Sequence, residues 1–165
     1  MPFTGDRSYG RLAAIALVVL AVACHRNTTK VPDGDILASL TVPSLAGDQL
    51  DIQALEGKPT LIVFMTPSCV HCLATLPHAI EAAKQQASNI VAVFVAGDTA
   101  RAQRIVEQLK FPGPALHDDG TLRKLYSVES VPYTVVVGKD GHATDAFEGE
   151  QETDTLARSL SRARN

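Results

Sequence analysis

From residue 36 onward, short apolar runs alternate with stretches in which apolar side chains recur every three or four positions, the pattern of a sheet covered by helices. Residues 60–65 are nearly all apolar, which predicts a strand buried on both faces. Residues 70–87 follow with Leu73, Leu76, Ile80 and Ala83 near one helical face, and Pro77 predicts a kink inside that helix. Residues 89–96 predict a second buried strand, and Asp98 is placed to cap a helix over 99–110 that ends at Phe111-Pro112-Gly113-Pro114. A short extended piece at 115–117, a turn at Asp118-Asp119-Gly120 and one or two helical turns over 121–126 come next. Residues 133–137 and 143–148, joined through Lys139-Asp140-Gly141-His142, predict an antiparallel hairpin, and 152–162 a last helix. Ahead of all this, 36–45 and 49–52 around Gly47-Asp48 predict an opening strand pair. The order is a βαβ half, an αβα stretch and a ββα end. The expected fold is α/β, a central mixed sheet flanked by helices.

The first residues follow a different logic. Arg7 and Arg11 precede an uncharged run over 12–23, too short to span a bilayer but suited to the core of a signal peptide. Ala21-Val22-Ala23 offers a small-x-small cleavage pattern, and the next residue is Cys24. Leu20-Ala21-Val22-Ala23-Cys24 resembles a bacterial lipobox, which implies lipidation of Cys24 as the new amino terminus; plain secretion and an uncleaved anchor are the alternatives. The expected organisation is a signal peptide at 1–23, a polar flexible tether at 24–35 and one domain over 36–165.

Composition narrows the partners. The chain has 165 residues, 45% hydrophobic and 20% charged, enough for one core that needs neither a disulfide framework nor a structural metal. Its net charge of -3 and the absence of a basic cluster argue against a nucleic-acid partner, since that affinity comes from Lys and Arg on phosphates. The three cysteines split naturally: a lipid on Cys24 would leave Cys69 and Cys72 as a pair in an oxidising compartment.

Cys69-Val70-His71-Cys72 admits three readings: half a zinc site, a structural disulfide or a redox pair. Zinc would need a second Cys or His pair at similar spacing, and a loop this short removes little entropy from the unfolded chain. The redox reading has a direct physical basis. A cysteine at a helix start meets unpaired backbone N–H groups and the positive end of the helix dipole, which favour a thiolate. Cys69 stands at such a start, and Cys72, one turn inside, is placed to attack a mixed disulfide formed on Cys69.

With Gly57-Lys58-Pro59 before the first buried strand, Pro77 five residues after Cys72, and Ser130-Val131-Pro132-Tyr133-Thr134 further on, residues 40–160 resemble the thioredoxin superfamily. Within it they are similar to the TlpA/ResA-like extracytoplasmic thiol-disulfide oxidoreductases, and the helical segment 99–110 matches the central insertion of that group. The resemblance implies a cis-proline at Pro132 facing the disulfide. It also implies that Val131 offers its backbone to an extended substrate, with Ser68 and Val70 on the same docking surface. No cofactor is implied. The implied partners are exported protein thiols and disulfides and a separate redox partner, met by a monomer on the periplasmic face of a bacterial membrane. Some relatives keep cysteines reduced for haem or metal insertion.

The chain also departs from its relatives. Ser68 stands where many have Trp, Val63 where thioredoxin has a buried acid, and Thr75 where ResA-like proteins often have Glu. His71 is therefore the ionisable group within the motif, expected to stabilise the Cys69 thiolate and make the disulfide more oxidising. His78, His117 and His142 are expected at the surface or at helix ends. Thr66 lies three residues before Cys69 as in peroxiredoxins, but Ile62 replaces the proline of that group, so peroxidase activity is not expected. A copper-binding or metallochaperone module built on Cys69, Cys72 and a histidine is the rival function, although Sco-like copper proteins space their cysteines by three residues.

Overall fold

The computed structural model describes residues 41–164 together with Met1. The expected signal peptide, Cys24, the tether and residues 36–40 lie outside the described residues. Two short strands, β1 (Thr41–Pro43) and β2 (Gln49–Asp51), pair antiparallel, and a single 3-10 turn over Ile52–Leu55 follows. The main chain of elements is β3 (Thr60–Met65), α1 (Val70–Gln85), β4 (Asn89–Phe94), α2 (Thr99–Gln108), β5 (Ala115–His117) and α3 (Thr121–Leu125). It ends with β6 (Tyr133–Val137), β7 (Ala143–Glu148) and α4 (Thr153–Arg162). Strand order in the main sheet is β5-β4-β3-β6-β7.

β3 sits at the centre. It runs parallel to β4, with Thr60 opposite Asn89 and Met65 opposite Phe94, and antiparallel to β6, with Phe64 opposite Tyr133. All six of its residues are buried. Successive side chains take opposite faces. Leu61 and Val63 pack with Ala79, Ala82, Leu156 and Leu160 of α1 and α4, and Met65 joins Leu76, Phe94 and Ile105 toward α2. Ile62 and Phe64 point the other way, into a cluster with Leu122, Tyr126 and Val135, and the Phe64 ring lies 5.1 Å from that of Tyr126. Burying a side chain such as Phe64 or Leu61 contributes about 1.5–3 kcal/mol.

The ends of the predicted elements move inward for local reasons. α1 stops at Gln85 because Ala87 takes a left-handed φ of 48° and Ser88 N–H returns to the Ala83 carbonyl. α2 stops at Gln108 in the same way, with Lys110 at φ 47° and Phe111 N–H bonded to the Val106 carbonyl. Asp98 does cap α2, its carboxylate accepting from Arg101 N–H at 2.6 Å. Asp118, expected only as part of a turn, is buried and accepts from the backbone N–H groups of Leu122 and Arg123, both at 2.9 Å, so from two residues ahead of the N-cap Gly120 it satisfies the first turn of α3.

The segment between β4 and α3 carries the predicted helix and the expected extended piece. β5 adds an edge strand parallel to β4, Ala92 opposite Ala115, and Phe111-Pro112-Gly113-Pro114 brings the chain back to it. That return depends on the missing side chain at Gly113. A Cβ there would lie 1.9 Å from the Ile90 carbonyl oxygen, well inside contact distance. Gly113→Ala is therefore expected to destabilise the protein by about 3 kcal/mol, the upper part of the range for overpacking. Urea unfolding should show the shift, and an unchanged midpoint would contradict this close backbone contact.

Candidate active site

β3 delivers the chain to the start of α1, and the junction decides the chemistry. Cys69 is the N-cap of α1, with an extended backbone at φ -80° and ψ 113°. Its sulfur takes the place of the usual capping oxygen, accepting the Cys72 backbone N–H at 3.2 Å. One of the N–H groups that a helix start leaves unpaired is thus spent on this sulfur. Cys69 is half-buried, whereas Cys72 has no exposed surface and lies among Met65, Leu76 and Phe94. Both are free thiols. Burial above all, then the hydrogen bond and charge of Cys69, push the Cys72 thiol up from 9.0 to about 12, against the opposing pull of a Thr66 backbone contact. The two sulfurs therefore differ in kind: one is reachable and capped, the other is held neutral beneath it.

The loop before β6 closes over this pair. The Val131–Pro132 peptide is cis, and the Val131 carbonyl lies 3.9 Å from Cys69 Sγ, within range of a thiol donor. Pro132 is buried and Val131 half-buried. Two contacts tie the loop to the end of β7: Gly149 N–H donates to the Pro132 carbonyl at 2.8 Å, and the Ser130 hydroxyl bonds Glu148. Ser68 is exposed beside Cys69, and Val70 is 70% exposed, an unusual position for an aliphatic side chain. The structure thus brings Cys69, Cys72, Val131 and Pro132 together, with Ser68 and Val70 on the rim.

His71 is turned to a partner that the sequence did not reveal. Its Nδ1 lies 3.0 Å from Glu150 Oε2, and among the described residues its ring forms no hydrogen bond to either sulfur. A second histidine on α1 repeats the arrangement: His78 is half-buried, with Nδ1 3.0 Å from Thr153 Oγ1 and Nε2 3.6 Å from Glu152. Thr75, between them, is fully buried and its hydroxyl accepts Gln151 N–H at 3.3 Å. One side of α1 is therefore laced to the β7–α4 connection. The Glu150, Gln151, Glu152 and Thr153 partners lie more than 70 positions from the α1 residues they bond, and no local spacing signals them.

Among the described residues, no carboxylate acts on the Cys72 thiol. Val63 is buried in β3 opposite Thr134, whose hydroxyl has no hydrogen-bond partner among the described residues. Also among the described residues, no three His, Cys, Asp or Glu side chains are grouped so as to hold a metal ion, so Cys69 and Cys72 find no third ligand for the copper reading.

Known proteins share this architecture. The model of the AhpC/TSA family matches residues 34–146. The soluble secreted antigen MPT53 of Mycobacterium tuberculosis is 29% identical over 135 residues, covering 81% of this chain and 78% of its own. The thiol-disulfide oxidoreductase ResA of Bacillus thuringiensis is 26% identical over 132 residues, covering 77% and 76%. Among solved structures, a secreted Mycobacterium tuberculosis disulfide oxidoreductase homologous to E. coli DsbE superposes with a TM-score of 0.70 at 25% identity, over 79% of this chain and 99% of its own. The exposed lipoprotein thioredoxin Etrx1 of Streptococcus pneumoniae superposes with a TM-score of 0.65 at 25% identity, over 76% and 99%. The chain belongs to the AhpC/TSA family, as a TlpA/ResA-like thiol-disulfide oxidoreductase of thioredoxin-like fold.

Proposed function

We propose that the protein exchanges disulfides with exported proteins, Cys69 attacking and Cys72 resolving. The observation that carries this reading is the contrast between the two sulfurs: Cys69 half-exposed and capped by an N–H, Cys72 fully buried with its thiol pushed up to about 12. In the reducing direction the Cys69 thiolate attacks one sulfur of a substrate disulfide. A Cys69–substrate disulfide forms and the other substrate sulfur leaves as a thiolate. Cys72 then gives up its proton and attacks Cys69 Sγ, forming the Cys69–Cys72 disulfide and releasing the second substrate sulfur. Two electrons pass to the substrate, and the two released sulfurs take up protons from Cys72 and solvent. The same steps in reverse oxidise a dithiol.

With Val63 and Thr75 where relatives place acids, the Cys72 proton passes to the departing thiolate or to water. Val131 and Pro132 support main-chain docking of an extended substrate beside Cys69, in the manner of strand addition. His71, within the motif and 3.0 Å from Glu150, is placed to act on the pair when its ring carries a proton. The lipobox-like Cys24, a lipoprotein among the structural neighbours and a secreted antigen among the relatives support an enzyme tethered by lipid outside the cytoplasm. Its clients on this reading include exported proteins whose cysteines await haem or a metal.

Cys69→Ser is expected to lower turnover of a protein disulfide by at least about a thousandfold, as loss of an attacking nucleophile does. Cys72→Ser should complete the first step and stop as a covalent protein–substrate adduct, visible as a band on a non-reducing gel that dithiothreitol removes. Unaltered turnover by the Cys69 variant would overturn the assignment.

The buried thiol also sets a pH dependence. Unfolding lets Cys72 ionise near its ordinary 9.0, while the fold keeps it protonated to about 12. Above pH 9 the unfolded state therefore binds fewer protons, and stability falls as pH climbs through this window. Reduced protein should lose stability between pH 9 and 11 more steeply than Cys72→Ser in parallel urea titrations, and equal slopes would mean that Cys72 is not held neutral.

A further inference from the structure

The apolar cluster that surrounds Cys69 and Cys72 continues outward, through Leu73 and Ile105, into a groove between α1 and α2. Leu73 lies one helical turn beyond Cys69, its N–H bonded to the Cys69 carbonyl at 3.1 Å, so the groove begins about 5.4 Å along the helix from the attacking residue. The rest of the lining comes from Arg101, Arg104 and Gln108 of α2 and from its C-cap, the exposed Leu109. Positions 101, 104, 105 and 108 form one helical stripe, with Ile105 buried and the two arginines exposed.

Neither guanidinium has a carboxylate partner among the described residues. Asp98, the N-cap of α2, spends its carboxylate on the backbone N–H of Arg101, and Glu107, three residues beyond Arg104 on the same helix, forms no ion pair with either arginine among the described residues. This local positive stripe stands in a chain of net charge -3, and the opposite rim of the cysteine pair is acidic, carrying Glu148 and Glu150. Charge is thus divided across the attacking sulfur: positive toward α2, negative toward the β7–α4 connection. A substrate laid across Cys69 is favoured when its own acidic residues fall on the α2 side and meet Arg101 and Arg104.

We propose that the Arg101–Arg104 stripe of α2 selects protein substrates bearing Asp or Glu a few residues from the reactive cysteine. Leu73, Ile105 and Leu109 supply an apolar floor for the aliphatic part of the same segment. The proposal rests on attack by Cys69 and adds a preference among substrates to it. Because the arginines are exposed, their effect falls on encounter and is screened by salt.

The test uses the full chain carrying Cys24→Ser, reduced, with three ten-residue peptides. Each peptide has one cysteine as its mixed disulfide with 2-mercaptoethanol, and Glu, Gln or Lys at the second and third positions on both sides. Each reaction yields the oxidised Cys69–Cys72 pair, free peptide thiol and 2-mercaptoethanol, so electrons balance. The Glu peptide is expected to react about 5–10 times faster than the Lys peptide at low ionic strength, and within about twofold of it in 0.5 M salt. Arg101→Gln with Arg104→Gln should abolish the ratio, and Arg101→Lys with Arg104→Lys should keep most of it. Equal rates for the three peptides, or a ratio that survives in the double Gln variant, would overturn the proposal. Failure of the reduced protein to react with 2-hydroxyethyl disulfide, which is small and uncharged, would instead overturn the redox assignment beneath it.

Discussion

The site depends on one constraint: β3 must be buried on both faces while its carboxyl end stops at the surface. Its six buried residues hold a parallel neighbour on one side and an antiparallel neighbour on the other, so the strand can neither slip nor rotate without exposing one of two apolar faces. The next few residues inherit that fixed position. Cys69 is consequently presented at a helix start, and Cys72, one turn later, is driven down into the cluster of Met65, Leu76 and Phe94. Both cysteines come from one short motif, yet their different environments follow from where β3 ends.

This division of labour needs little extra machinery. The N–H that a helix leaves unpaired in its first turn is spent on a sulfur, and the burial that stabilises the core also keeps the second thiol neutral. The loop at Val131 and Pro132 is held by β7 through Glu148 and Gly149, so the docking backbone and the attacking sulfur are anchored to the same sheet. On the other side, the Thr75–Gln151, His71–Glu150 and His78–Glu152 contacts fix α1 against the connection to α4. Positions that hold acids in related oxidoreductases serve packing in this chain.

The elements were legible wherever local physics decides them. The apolar run of 60–65, the cap at Asp98 and the turn around Gly141 each carry their own signal, and the strands and helices formed there. Ends were less legible, because Ala87 and Lys110 adopt left-handed conformations that no residue preference announces. Within the site, Cys69 and Cys72 declared themselves by spacing. The Glu150 partner of His71 did not, since the contact joins residues 79 apart that only the packing of α1 on α4 brings together. The stripe of Arg101 and Arg104 was present in the helical period, but its position across a groove from Leu73 of α1 follows from tertiary packing.

The claim that Cys69 and Cys72 hold unequal roles is tested most directly by locating the first covalent adduct. Reduced protein would be mixed with a limiting disulfide, quenched in acid within milliseconds, digested and sequenced by tandem mass spectrometry. The early adduct is expected on Cys69, with Cys72 appearing only in the Cys69–Cys72 disulfide that follows. An early adduct on Cys72, or equal labelling of both sulfurs, would contradict it.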